Sequence, residues 1–263
     1  MARWITGIIL AIGAVSTILF VDPYLIKSLI VLLSLYAATE LLSVTIKFAA
    51  MGKKAVGSSL TALGVWINLF SPSLLNLYMF IFAVLAIGFC LEFFGSTQCS
   101  VRIKQTAFFV LSVFYVTFLF SLIGLLTELS NYKFWIFLTL GATHLGDTGA
   151  YIFGKLFGKH KLAPTLSPGK TIEGVFGAVI FGMGAAYVVK MIFYPSFHPI
   201  LILVLGGLVA IVGVIGDLSE SLLKRGFGVK DMGNMVPGHG GILDRMDSLM
   251  FTAPIVYFIS FWI

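Results

Sequence analysis

Apolar runs recur along the whole chain at about the 20-residue length that spans a bilayer as a helix, and short segments between them hold most of the charge. Nine runs carry the pattern: 4–21, 28–46, 55–70, 74–94, 107–127, 134–154, 172–193, 200–219 and 242–262. The third is the weakest, being short and containing Gly57, Gly64 and Asn68. The pattern predicts an all-α fold: a polytopic integral membrane bundle of about nine transmembrane helices.

Basic residues sharpen that reading. If odd-numbered runs cross outward, one side holds Arg3, Lys47, Lys53, Lys54, Arg102, Lys104, Lys155, Lys159, Lys161, Lys170, Lys224, Arg225 and Lys230, which is 13 of the 17 Lys and Arg. The other side holds Lys27 and Lys133, with Lys190 near it, while Arg245 lies just inside the last run. Cytoplasmic loops carry such an excess, so the expected topology is N-terminus cytoplasmic and C-terminus outside.

Composition then excludes whole classes. A mean hydropathy of +1.05 is far above that of a water-soluble domain. The net charge of +6 is accounted for by positive-inside loops rather than by nucleic acid. Cys90 and Cys99 have no metal-type spacing. The first run is long for a signal peptide and weakly charged before it, so it reads as an uncleaved helix. The chain divides into 1–130, generic apolar transmembrane helices suited to lipid or oligomer contacts, and 131–263, a transmembrane region with cytoplasmic polar loops at 155–171 and 220–241 that holds the candidate chemistry.

Seven of the 11 acidic residues are Asp147, Glu173, Asp217, Glu220, Asp231, Asp244 and Asp247. A carboxylate in a membrane helix is costly and usually faces the bundle interior beside a partner or cation. Asp217 and Glu220, and likewise Asp244 and Asp247, are spaced i, i+3 and share a helix face. With Asp147 they fall near one interface. Hard oxygen donors of this kind suit Mg²⁺, Mn²⁺ or Ca²⁺ rather than zinc, and a carboxylate-held Mg²⁺ also binds substrate phosphates. Asp217, Asp244 and Asp247 are the leading metal candidates, followed by Asp147 and Glu220, for one or two cations.

"PGHGG" at 237–241 comes immediately before the last run. Glycine permits close backbone approach, and a helix start offers free N–H groups to an anion. Gly240 and Gly241 are therefore candidate phosphate contacts, with His239 a hydrogen-bond donor. Lys224, Arg225, Lys230 and Arg245 are candidates to neutralise phosphate charge. "SPGKT" at 167–171 lacks the P-loop glycine, which would stand at Pro164, but Ser167, Lys170 and Thr171 can still meet a phosphate group.

"SLLKRGFGVKDMGNMVPGHGGILDRMDS" at 221–248 resembles the signature of phosphatidate cytidylyltransferases, or CDP-diacylglycerol synthases. The matching residues are Ser221, Lys224, Arg225, Lys230, Asp231, His239, Gly240, Gly241, Asp244, Arg245 and Asp247. "GDTGAYIFGKLFGKHKLAPTLSPGKTIEG" at 146–174 is similar to the same family's upstream segments, with Ile172 where tryptophan is frequent. The resemblance covers residues 140–263. It implies Mg²⁺-dependent conversion of CTP and phosphatidic acid to CDP-diacylglycerol and pyrophosphate in a bacterial inner membrane. The site would lie at the cytoplasmic face, and the family context allows a homodimer. A CTP-dependent lipid or polyprenol kinase is the related alternative. A secondary transporter is the alternative from a different class; it predicts midplane acids and paired repeats, and no repeat is visible here.

Overall fold

A computed structural model describes residues 12–47, 49–93, 97–235 and 240–263. The helices are α1 (12–20 as described), α2 (Pro23–Thr45), α3 (Met51–Phe70), α4 (Leu74–Cys90), α5 (Cys99–Leu125), α6 (Tyr132–Phe157), α7 (Ile172–Phe193), α8 (Pro199–Gly226) and α9 (Leu243–Ile259). A 3₁₀ turn, Leu126–Glu128, follows α5, and a two-stranded antiparallel hairpin, β1 (Lys161–Ala163) and β2 (Ser167–Thr171), joins α6 to α7.

Local chemistry sets several boundaries. Asp22 caps α2 by accepting the Tyr24 N–H at 2.8 Å, with Pro23 at the first helical position. Ser73 caps α4 by accepting from Asn76, and Thr171 caps α7 by accepting from Gly174, each at 3.1 Å.

The expected nine membrane helices are not found. Among the described residues four helical stretches are long and apolar enough to cross a membrane: Pro23–Thr45, Cys99–Glu128, Ile172–Phe193 and Pro199–Gly226. At 17 residues each, α4 and α9 are shorter than these four and at the lower limit of a span. Lys53 and Lys54 open α3. Lys133, His144, Asp147 and Lys155 interrupt α6, which is long enough but too polar. Residues 4–11 of run 4–21 lie outside the described residues. With four such helices, the side-to-side alternation behind the N-inside, C-outside expectation does not follow. Among the described residues the regular structure is helical apart from the hairpin.

The two polar loops also change. Segment 155–171 is the end of α6 plus the hairpin, and α8 continues through Lys224 and Arg225 to Gly226, where the expected loop 220–241 had already begun. No Gly or Pro interrupts α8 between Gly216 and Gly226, and the i, i+4 pair Lys224–Glu220 supports that turn.

The chain forms two compact units interleaved along the sequence. The first contains 21–124 and 231–245, hence α2 to α5. Leu42, Val65, Val84, Val113 and Phe120 are fully buried there. Gly57 lies against Leu42 and Phe109, and Gly64 against Phe80 and Thr117. Lys53 and Glu92 form an ion pair of 2.8 Å.

The second unit contains 14–20, 125–230 and 246–263. Small residues bring its helix backbones together: Gly149 of α6 faces Gly177 of α7, and Gly182 of α7 faces Gly206 of α8. Outer faces stay apolar. Leu25, Leu29, Leu32 and Tyr36 are exposed along one stripe of α2, as are Phe176, Ile180, Val188 and Ile192 on α7. Exposed apolar surface of this extent fits a lipid environment.

Candidate active site

Helix α8 carries the centre of the polar cluster in the second unit. Lys170 reaches from β2 to Asp217, Nζ to Oδ2 at 2.7 Å, and also donates to the Val214 carbonyl at 3.3 Å. Ser221, one turn beyond Asp217, lies 3.5 Å from its Oδ1. Glu220 is buried and paired with Lys224 at 2.7 Å. Asp147 of α6 and Asp247 of α9 stand close enough to Asp217 for the three carboxylates to repel one another, and Lys170 offsets part of that repulsion. Gly216 allows this packing: a Cβ there would sit 2.8 Å from the Asp247 carbonyl oxygen.

Asp147 is exposed, and Asp217 and Asp247 are half-buried. The group is therefore reachable from outside. Its chemistry fits a hard divalent cation, since repelling carboxylate oxygens are the donors such an ion takes. A preassembled cage is not present: among the described residues no three His, Cys, Asp or Glu stand close enough to hold an ion. The Lys170 ammonium occupies one Asp217 oxygen in their place.

Glu173 does not join this group. Its carboxylate takes the His160 ring at 2.6 Å and the His160 backbone N–H at 3.2 Å, closing the base of the hairpin.

Asp244 belongs to a different arrangement, within the first unit. It is buried and accepts the Met232 N–H at 2.9 Å and the Gly241 N–H at 2.8 Å. Gly240 has φ +83°, a left-handed conformation that a side chain would strain. Glu40 of α2 accepts the next two N–H groups, Ile242 at 3.0 Å and Leu243 at 2.9 Å. The backbone donors that open α9 thus face carboxylates of the chain itself.

Of the remaining candidates, Arg225, Lys230 and Arg245 are exposed, and Ser167 and Thr171 bracket β2. His239 lies outside the described residues. Thr171 has a structural task already, the cap of α7. Thr171→Ala is expected to cost about 1 kcal/mol of stability, and Thr171→Ser to cost much less, as read by thermal unfolding in detergent. Sequence reasoning missed Glu40, although an acid inside "YAATELLS" was itself a signal. It also missed the pairing of Lys170 with Asp217.

The fold and cluster define a helical membrane protein whose chemistry-bearing side chains come from α6, α8, α9 and the hairpin. The sequence profile of the cytidylyltransferase family matches residues 1–262, and the chain belongs to that family. The match includes the first half, beyond the segments whose motifs carried the resemblance. A phosphatidate cytidylyltransferase of Staphylococcus epidermidis is 51% identical over 112 residues, 43% of this chain and 43% of that protein. Those of Staphylococcus haemolyticus and Staphylococcus aureus are 49% identical over 128 residues and 43% identical over 155. These two alignments cover 48% and 58% of this chain, and 47% and 58% of the respective relatives. The alignments thus span about half the length of these relatives.

Proposed function

We propose that this protein makes CDP-diacylglycerol and pyrophosphate from CTP and phosphatidic acid. The family match along nearly the whole chain carries the reading. The names of the bacterial relatives and the acidic and basic cluster on α6, α8, α9 and β2 support it.

The lipid phosphate oxygen attacks the α-phosphorus of CTP. A P–O bond forms there, the bond to the oxygen bridging to the β-phosphorus breaks, and pyrophosphate leaves with that electron pair. A phosphomonoester is largely dianionic near neutral pH, so no strong general base is required. The barrier is repulsion between anions and the charge that builds on the leaving group. A divalent cation, when bound, neutralises phosphate charge. Asp217 and Asp247, with Asp147, would hold it. Lys170 pairs directly with Asp217, while Arg225, Lys230 and Arg245 are exposed and available to phosphate. Lys224 keeps Glu220 neutralised. Gly240 and Gly241 shape the turn that precedes α9.

The site is assigned to the cytoplasmic face because Lys155, Lys159, Lys161, Lys170, Lys224, Arg225 and Lys230 lie in the hairpin and at the adjoining helix ends. Purified full-length protein with CTP, phosphatidic acid and Mg²⁺ is expected to release pyrophosphate and CDP-lipid in equal amounts, and to stop when EDTA is added. Transfer of the γ-phosphate with release of CDP would identify a kinase and overturn the assignment.

A further inference from the structure

Three consecutive backbone donors at the start of α9 are taken by carboxylates. Gly241 N–H goes to Asp244, three residues ahead; Ile242 and Leu243 N–H go to Glu40, 202 and 203 residues back in the chain. Asp244 also holds the Met232 N–H, tying the incoming segment to the same turn. The Glu40 carboxylate packs directly against two residues that lack side chains. A Cβ on Gly233 would lie 2.5 Å from Oε1, and one on Gly241 would lie 2.5 Å from Oε2. An anion at a helix N-terminus is stabilised both by these bonds and by the helix dipole.

We propose that Glu40 is a positioning residue: it caps α9 from α2 and fixes the turn that carries Asp244 and Arg245, with Asp247 in the next turn of the same helix. The donors of this turn are then committed to the protein rather than free for a substrate phosphate. The catalytic consequence rests on the function proposed above. The capping itself does not.

Two measurements on full-length protein in detergent test it. Hydrogen exchange of the peptide spanning 240–250 reads the cap without any turnover. Glu40→Ala is expected to speed exchange at Ile242 and Leu243, with Glu40→Gln intermediate because its amide keeps one acceptor oxygen. In the assay, Glu40→Ala is expected to lower kcat about tenfold or more, as misplacement of a reacting group does. KM for CTP should stay nearly unchanged, and Glu40→Gln should recover part of kcat. Wild-type exchange in both variants overturns the proposal. A fall in KM for CTP with kcat preserved also overturns it, because Glu40 would then be competing with substrate phosphate. If Glu40→Ala does not fold, Glu40→Gln decides alone: exchange and kcat equal to wild type overturn the proposal. If the wild-type protein makes no CDP-lipid, the proposed function falls while the exchange result still decides the cap.

Discussion

Asp217→Asn and Asp247→Asn are each expected to cut CDP-lipid formation by roughly a hundredfold or more, the scale of losing one preorganised electrostatic group at a site of charge development. The chains should still extract and purify as monodisperse protein. The separation of activity from stability follows from the surroundings of each residue. Asp217 pairs with Lys170, but both are partly exposed, at 35% and 21% of their side chains, so that pair contributes at most about 1 kcal/mol. Asp147, Asp217 and Asp247 also repel one another, and removing one charge relieves that repulsion. Folding therefore loses little. The reaction loses a cation ligand at the point where two anions must meet. Lowered occupancy measured by Mn²⁺ binding should accompany the loss of turnover. Near-normal turnover in both variants would sink the assignment of these carboxylates to the metal.

Gly206→Leu in α8 and Gly177→Leu in α7 are expected to have the largest effect on folding. A Cβ at Gly206 would lie 2.5 Å from the Ala186 Cβ and 2.6 Å from the Gly182 carbonyl oxygen. One at Gly177 would lie 2.5 Å from the Gly149 carbonyl oxygen and 2.6 Å from the Phe153 Cβ. Backbone atoms cannot move aside as a flexible side chain can. Helix association in lipid depends on such close approach, because no hydrophobic force drives apolar helices together there. The penalty of overpacking is typically about 1–3 kcal/mol and larger where the backbone is in the way. Each variant should unfold at a clearly lower temperature in detergent, or fail to accumulate. Gly184→Leu is the control: nothing stands within 4 Å of its Cβ position, and it should behave like wild type. Equal stability of Gly184→Leu and Gly206→Leu would count against the α7–α8 contact.

Much was legible along the chain because the signals are local. Apolar runs located α2, α5, α7 and α8, and run 172–193 coincides with α7, whose start Thr171 caps. The i, i+3 spacing in "LDRMDS" put Asp244 and Asp247 on one helix. Run length alone misjudged α4 and α9, since an apolar stretch reads much the same whatever the length of the helix inside it, and it passed over the polar residues within α6. The hairpin was hidden by its brevity.

The polar partnerships came from packing. Asp217, Asp244 and Asp247 looked alike as carboxylates near an interface, yet Asp217 meets Lys170 from a hairpin 47 positions away in the chain while Asp244 meets backbone N–H groups. Glu40 looked like one acid in an early apolar helix, and it is the cap of the last one. Periodicity and caps act between residues a few positions apart, so linear order is enough to reveal them. Which charge neutralises which depends on helices brought together by small residues, and that distance exists only once the chain has folded.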